Sequence, residues 1–299
     1  MSIRFEGRVA IVTGAGGGLG CEHALALAQR GAKVVVNDLG PGAEAVAQEI
    51  KAAGGEAIAS VASVTDFDAV QAMVKLTMDT WGRIDILVNN AGILRDKSFT
   101  KMDIADFKLV VDVHLMGAVN WCKAVWDIMR AQKYGRIVNT TSSSGLYGNF
   151  GQSNYGAAKM ALVGLMQTLS IEGAKDGIRV NCLAPTAATA MTEGLLPAPV
   201  LEKLAPSAVT PGLLYLVSED APSRVILGAG AGTFERTYIT MTQGMHVGCG
   251  ADAAERGQRS IVHARRSADT RSRTHGALPK GGETNVVFAR RYGYSRTKR

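Results

Sequence analysis

No apolar run in this 299-residue chain reaches the roughly 18 residues that a membrane-spanning helix needs, so no transmembrane span is expected. Cysteine is scarce. The four present (Cys21, Cys122, Cys182, Cys249) lie far apart and form no C-x-x-C pair. That pattern excludes a disulfide framework and a zinc site, so no metal is expected, and it fits reduced thiols in a cytoplasmic protein. Residues 1–7 place Arg, Glu and Gly before a short apolar run and do not read as a signal peptide. The 35 glycines follow no collagen-like period, and no repeat of 20 to 50 residues is visible. Basic excess is missing from most of the chain. Residues 249–299 hold 12 of the 33 Lys+Arg and 4 of the 26 Asp+Glu, which leaves 21 basic and 22 acidic residues elsewhere. The net charge of +7 therefore belongs to the carboxyl-terminal stretch. That stretch is poor in Leu, Ile, Val and Phe, so a solvated, disordered tail is expected at 249–299 after one domain at 1–248. A basic arm touching phosphates is the other reading of the tail, but a neutral body argues against nucleic acid as the partner.

The body alternates short apolar runs with helical segments. Strands are expected at residues 9–13, 33–37, 56–60, 84–89, 135–140, 179–183 and, last, 225–228. Helices are expected at 19–30, 43–53, from a Thr65 or Asp66 cap to 81, and at 104–130, 154–174 and 209–218. Such a rhythm predicts an α/β fold with a doubly wound, mostly parallel sheet. Ligands of such sheets sit at the carboxyl ends of the strands, near the switch in strand order.

The first strand runs into Gly14-Ala15-Gly16-Gly17-Gly18-Leu19-Gly20, which opens the first helix. Glycines let the chain turn tightly and let a dinucleotide approach the backbone, while the helix amino end offers N–H groups to a pyrophosphate. Asp38 ends the second strand, 18 residues beyond Gly20. A carboxylate there accepts hydrogen bonds from ribose hydroxyls and repels a 2′-phosphate, and Gly17 offers that phosphate no cation. NAD is expected over NADP. A plain solvated loop carboxylate is the competing reading of Asp38.

Tyr155 and Lys159 are four residues apart at the start of an apolar helix and so share a face. An ammonium near a phenol, together with a positive nicotinamide ring, lowers the phenol's pKa toward working pH. Such a pair alone is weak evidence. Ser142, 13 residues earlier in a Thr/Ser-rich run, and Asn89-Asn90-Ala91-Gly92 make it stronger.

Taken in order, the glycine loop, Asn89-Asn90-Ala91-Gly92, Ser142 and Tyr155-x-x-x-Lys159 resemble the short-chain dehydrogenase/reductase family over about residues 5–240. VAIVTGAGGGLG, VVNDLG, NNAGILRDK and GLYGNFGQSNY are similar to its (3R)-hydroxyacyl-CoA dehydrogenase subgroup, found in type 2 peroxisomal multifunctional enzymes. The resemblance implies a Rossmann-fold enzyme with a nicotinamide cofactor, acting on a secondary alcohol or ketone such as a 3-hydroxyacyl thioester, and assembled as a homodimer or homotetramer. A 3-oxoacyl carrier-protein reductase or steroid dehydrogenase is the alternative within the family, and a nucleotide-binding regulatory module the alternative outside it. It implies Ser142, Tyr155, Lys159 and His114 as catalytic residues. It implies cofactor contacts at Gly14, Gly16, Gly18, Leu19, Gly20, Asp38, Ser63, Val64, Asn90, Ala91, Gly92, Tyr155, Lys159, Pro185, Thr186 and Thr189.

The sequence departs from the family at several points. His114 stands where most members carry a relay asparagine, and it reads equally as a helix histidine bonded to a backbone carbonyl. Thr186 replaces the usual glycine after Pro185, and Ala190 replaces a common threonine, a role Thr189 could fill. The second helix follows Leu39-Gly40 without the subgroup's longer insert. Thr297-Lys298-Arg299 is not a Ser-Lys-Leu ending.

Overall fold

The computed structural model describes residues 3–187 and 204–241. Met1–Thr237 make one compact unit, and the remainder forms a second, of which only 238–241 are described. Thr189, the proposed boundary at residue 248 and the expected 249–299 tail lie outside the described residues.

Strands β1 (Val9–Thr13), β2 (Lys33–Asp38), β3 (Ala57–Val61), β4 (Ile86–Asn89), β5 (Gly135–Thr140), β6 (Ile178–Thr186), β7 (Ile226–Gly230) and β8 (Thr233–Thr237) form one sheet. Their order is β3-β2-β1-β4-β5-β6-β7-β8. All neighbours are parallel except the β7–β8 pair. Every residue of β1 is buried, yet the side chains split by alternation. Ala10 and Val12 join one core with Val34, Val36, Ile86 and Val88, whereas Ile11 joins Val35, Leu87 and Ile137 on the opposite face. Burying each such aliphatic side chain is worth about 1.5–3 kcal/mol, so a doubly covered sheet follows from its unbroken apolar strands.

Helices α1 (Gly18–Ala28), α2 (Gly42–Ala52) and α8 (Thr210–Leu216) supply residues to the first core. α3 (Phe67–Trp81), α5 (Gly117–Gln132) and α7 (Ser153–Gly173) supply the second. Asp66, not Thr65, caps α3, its carboxylate accepting from the Ala69 N–H.

Three departures from the expected elements bear on the site. The helical stretch expected at 104–130 is α4 (Ile104–Val111) and α5 joined by a π-helical turn, Asp112–Met116, which carries His114. π-turns concentrate at functional sites because the extra residue re-aims a side chain. A short helix, α6 (Ser143–Tyr147), follows β5 directly. The strand expected to be last is followed by β8, which turns back as a hairpin.

Candidate active site

The sheet reverses its order between β1 and β4, and the loops after these strands meet there. Gly14 adopts φ +61°, and a Cβ on it would lie 2.7 Å from the Ala91 Cα. On Gly20 a Cβ would come within 2.1 Å of the Gly14 carbonyl oxygen. Only glycine permits both approaches. Asn90 ties the loops together, its Nδ2 donating to the Thr13 and Gly14 carbonyls at 3.1 Å each. Thr13 Oγ1 accepts from the Asn90 and Ala91 N–H groups at 3.0 and 3.1 Å. Sequence reasoning missed Thr13, whose only signal was a hydroxyl at the end of the first strand.

The amino end of α1 has no side-chain cap, and a Cβ on its N-cap residue Gly17 would meet open space. An uncapped helix amino end with room beside it fits the pyrophosphate of a dinucleotide. Asp38 borders the same loop. Its Oδ2 accepts from the Gly16 N–H at 2.9 Å, and Oδ1 from Leu39 and Gly40 at 2.7 and 3.3 Å. Ser63 and Val64 follow β3. Ser63 Oγ pairs with Thr65 Oγ1 at 2.8 Å, while Val64 is buried and its carbonyl accepts from Asn120. Pro185 and Thr186 end β6, where Thr186 pairs with Gly230 of β7.

Ser142, Tyr155 and Lys159 converge beside the Ala91–Gly92 segment. Ser142 caps α6, its Oγ accepting from the Ser144 N–H at 3.1 Å, which leaves the hydroxyl proton free to donate. Lys159 is buried, and its Nζ donates to the Thr140 carbonyl at 2.6 Å. Loss of solvent brings its pKa down to about 7. The lowering of the Tyr155 phenol by Lys159 is not what this arrangement produces. Lys159 Nζ is 5.5 Å from the Tyr155 ring centroid and directed at Thr140. Burial pushes Tyr155 above its ordinary value, with a Ser142 hydrogen bond pulling it down and the Asp96 charge raising it further.

His114 is buried, and its Nε2 lies 2.8 Å from the Ile93 carbonyl and 3.0 Å from the Ile93 N–H. The tautomer decides which bond forms: Nε2–H donates to the carbonyl, or bare Nε2 accepts from the N–H. Nδ1 has no protein partner. Burial, with the Lys159 charge adding to it, brings the imidazole down to about 3, so His114 is neutral. It shares a small cavity with Thr13, Val64, Asn89 and Lys159. Among the described residues no cluster of His, Cys, Asp or Glu could hold a metal ion.

A family model for short chain dehydrogenases matches residues 8–198. The chain belongs to the short-chain dehydrogenase family. It is 50% identical over 244 residues to the peroxisomal hydratase-dehydrogenase-epimerase of Saccharomyces cerevisiae, covering 78% of this chain and 27% of that protein. A 3-oxoacyl-[acyl-carrier-protein] reductase of Synechocystis is 48% identical over 198 residues, covering 65% of this chain and 80% of its own. The full-length peroxisomal multifunctional enzyme type 2 of Drosophila melanogaster superposes with a TM-score of 0.72 at 36% identity. That match covers 98% of this chain and 50% of the Drosophila one. The chain thus spans about a quarter of the yeast relative and half of the Drosophila structure.

Proposed function

We propose that this protein is an NAD-dependent oxidoreductase interconverting a 3-hydroxyacyl thioester and its 3-oxo form. The observation that carries the reading is the convergence of Ser142, Tyr155 and buried Lys159 beside an uncapped helix amino end. A bound nicotinamide dinucleotide supplies the hydride acceptor for oxidation, or the donor for reduction. The Ser142 hydroxyl holds the substrate oxygen and donates where negative charge develops. Tyr155 takes the hydroxyl proton during oxidation and returns it during reduction. Lys159, set by Thr140, offers its ammonium to ribose hydroxyls, while the Ser142 hydroxyl is the group that eases ionisation of Tyr155. His114 holds Ile93 and hence the segment carrying Ala91 and Gly92.

NAD is favoured because the Asp38 carboxylate, fixed beside the glycine loop by three backbone N–H groups, would accept from ribose hydroxyls and repel a 2′-phosphate. An acyl thioester is favoured because the Synechocystis relative is named for a 3-oxoacyl carrier-protein substrate. Exposed Ile104, Leu109, Met160 and Ile171 on α4 and α7 support assembly of copies through these helices. The free thiols of Cys21, Cys122 and Cys182 support a reducing compartment such as the cytosol, although two relatives carry peroxisomal names. A panel of 3-hydroxyacyl-CoA esters and steroid alcohols, assayed with NAD and with NADP, tests the reading. Turnover confined to steroids, or to NADP, would overturn it.

A further inference from the structure

Two loops are joined at the start of α7, the helix that carries Tyr155: residues 92–98, after β4, and residues 148–152, before α7. They are stitched by the Lys97 N–H donating to the Gly151 carbonyl at 2.9 Å and by Asn154 Nδ2 donating to the Arg95 carbonyl at 3.0 Å. The third stitch is polar and charged. Gln152, nearly buried, donates from Nε2 to Asp96 Oδ2 at 2.7 Å, and its own Oε1 accepts from Asn149 at 3.0 Å. Asp96 is flanked by two cations, yet both turn elsewhere. Arg95 lies 3.7 Å and Lys97 3.5 Å from Asp106 of α4. Asp96 makes no ion pair among the described residues, so it presents an uncompensated negative charge that reaches Tyr155.

From this geometry we infer that Asp96, aimed by Gln152, is a specificity-determining residue that selects substrates neutral at the carbonyl end over free 3-hydroxy acids. The inference rests on the 3-hydroxyacyl reading of the site. With the carbinol oxygen held by Ser142 and Tyr155, the C1 group of a 3-hydroxyacyl substrate is two bonds from the reacting carbon. A free acid would place its carboxylate within reach of Asp96, whereas a thioester carries no charge there. Among the described residues, the other ionisable groups in contact with the Tyr155 ring are Lys159 of α7 and His114 of the π-turn. His114 is neutral, and Lys159 by itself would draw a carboxylate in. Asp96 supplies the opposing charge.

The test compares 3-hydroxybutyrate with its neutral N-acetylcysteamine thioester, in wild type and in Asp96→Asn. Asn is isosteric and still accepts from Gln152. Wild type should prefer the thioester in kcat/KM. Asp96→Asn should raise the ratio of the free acid's kcat/KM to the thioester's roughly fivefold, the size of one charge–charge term about 4 Å apart in water, since any change the variant makes at Tyr155 is common to both substrates. Added salt should narrow the wild-type preference and leave that of the variant unchanged. An unchanged acid-to-thioester ratio in the variant, with thioester turnover intact, would overturn the role of Asp96 alone. If wild type turns over neither compound but oxidises another alcohol, the 3-hydroxyacyl reading fails and this inference falls with it.

Discussion

The imidazole of His114 meets the ring of Tyr155 edge-on, with centroids 5.2 Å apart and planes at 90°. An edge-to-face pair of this kind orients both rings. The π-turn makes the contact possible by bringing His114 inward between α4 and α5. His114 therefore braces two parts of the site at once: the Tyr155 ring, and the Ile93 backbone that follows Gly92.

Gly92 is the tightest point of that brace. A Cβ added there would lie 2.2 Å from His114 Cε1. Gly92→Ala should displace the imidazole, with a cost of about 1–3 kcal/mol typical of overpacking. A lower thermal midpoint together with reduced kcat is the expected outcome. Wild-type stability and activity in this variant would show that His114 does not fix the loop.

Acid should weaken the fold before most carboxylates titrate. His23 and His114 are both brought down to about 3 by burial, so both are neutral in the folded chain. Unfolded, each takes a proton near pH 6.5, so the unfolded state binds more protons between about 6.5 and 3. Stability must therefore fall as pH drops through that window, each histidine adding a slope of up to about 1.4 kcal/mol per pH unit. Urea melts between pH 7 and pH 5 measure this before Asp and Glu contribute. His23→Gln should remove one histidine's share of the slope, and an identical slope would show that His23 is not held neutral.

Much of the fold was legible because its strands are continuous apolar runs ended by glycine, and the order of elements left few topologies. Seven strands lie within a few residues of their expected places. β8 escaped because Thr-Phe-Glu-Arg-Thr is exposed and polar, as an edge strand should be, and it directly follows a turn through Ala231 and Gly232. The π-turn escaped because its sequence, Asp-Val-His-Leu-Met, continues the helical pattern on both sides. Within the site, the glycines, Asp38, Ser142, Tyr155 and Lys159 could be read from residue type and spacing. Thr13, Asp96 and Gln152 could not, since their roles depend on loops far apart in sequence. The pull of Lys159 on Tyr155 was misjudged for a related reason: helical spacing places two side chains on one face but does not reveal the Thr140 carbonyl that claims the ammonium.

Cofactor preference should turn on Asp38. Asp38→Ala removes three accepted hydrogen bonds and the charge that opposes a 2′-phosphate. Loss of ribose contacts to a carboxylate is worth about 1.5–3 kcal/mol, so NADH affinity should fall at least tenfold. With an arginine added at Leu39, NADPH should bind more tightly than NADH. Titration of both dinucleotides against wild type and variants checks this, and tighter NADPH binding by wild type would refute the assignment.

The chemical step should depend on a single oxygen atom. Tyr155→Phe deletes the phenolic oxygen and keeps the ring that His114 packs against, so the fold and the cofactor site should be unchanged. Removing a positioned acid–base group typically costs about 100- to 10,000-fold in rate. Turnover should therefore fall by that factor in both directions, while NADH binding and the thermal midpoint stay at wild-type values. The pH dependence should separate the two directions. Oxidation delivers a proton to Tyr155 and should gain as pH rises, whereas reduction draws on the protonated phenol and should lose rate at the alkaline end. Neither limb should survive in the residual activity of the variant. Lys159→Ala should differ by weakening cofactor binding as well as rate, because its ammonium is placed by Thr140 to serve both. If Tyr155→Phe keeps near-normal turnover of an alcohol that wild type clearly oxidises, the proton is handled elsewhere and Tyr155 is not the acid–base group.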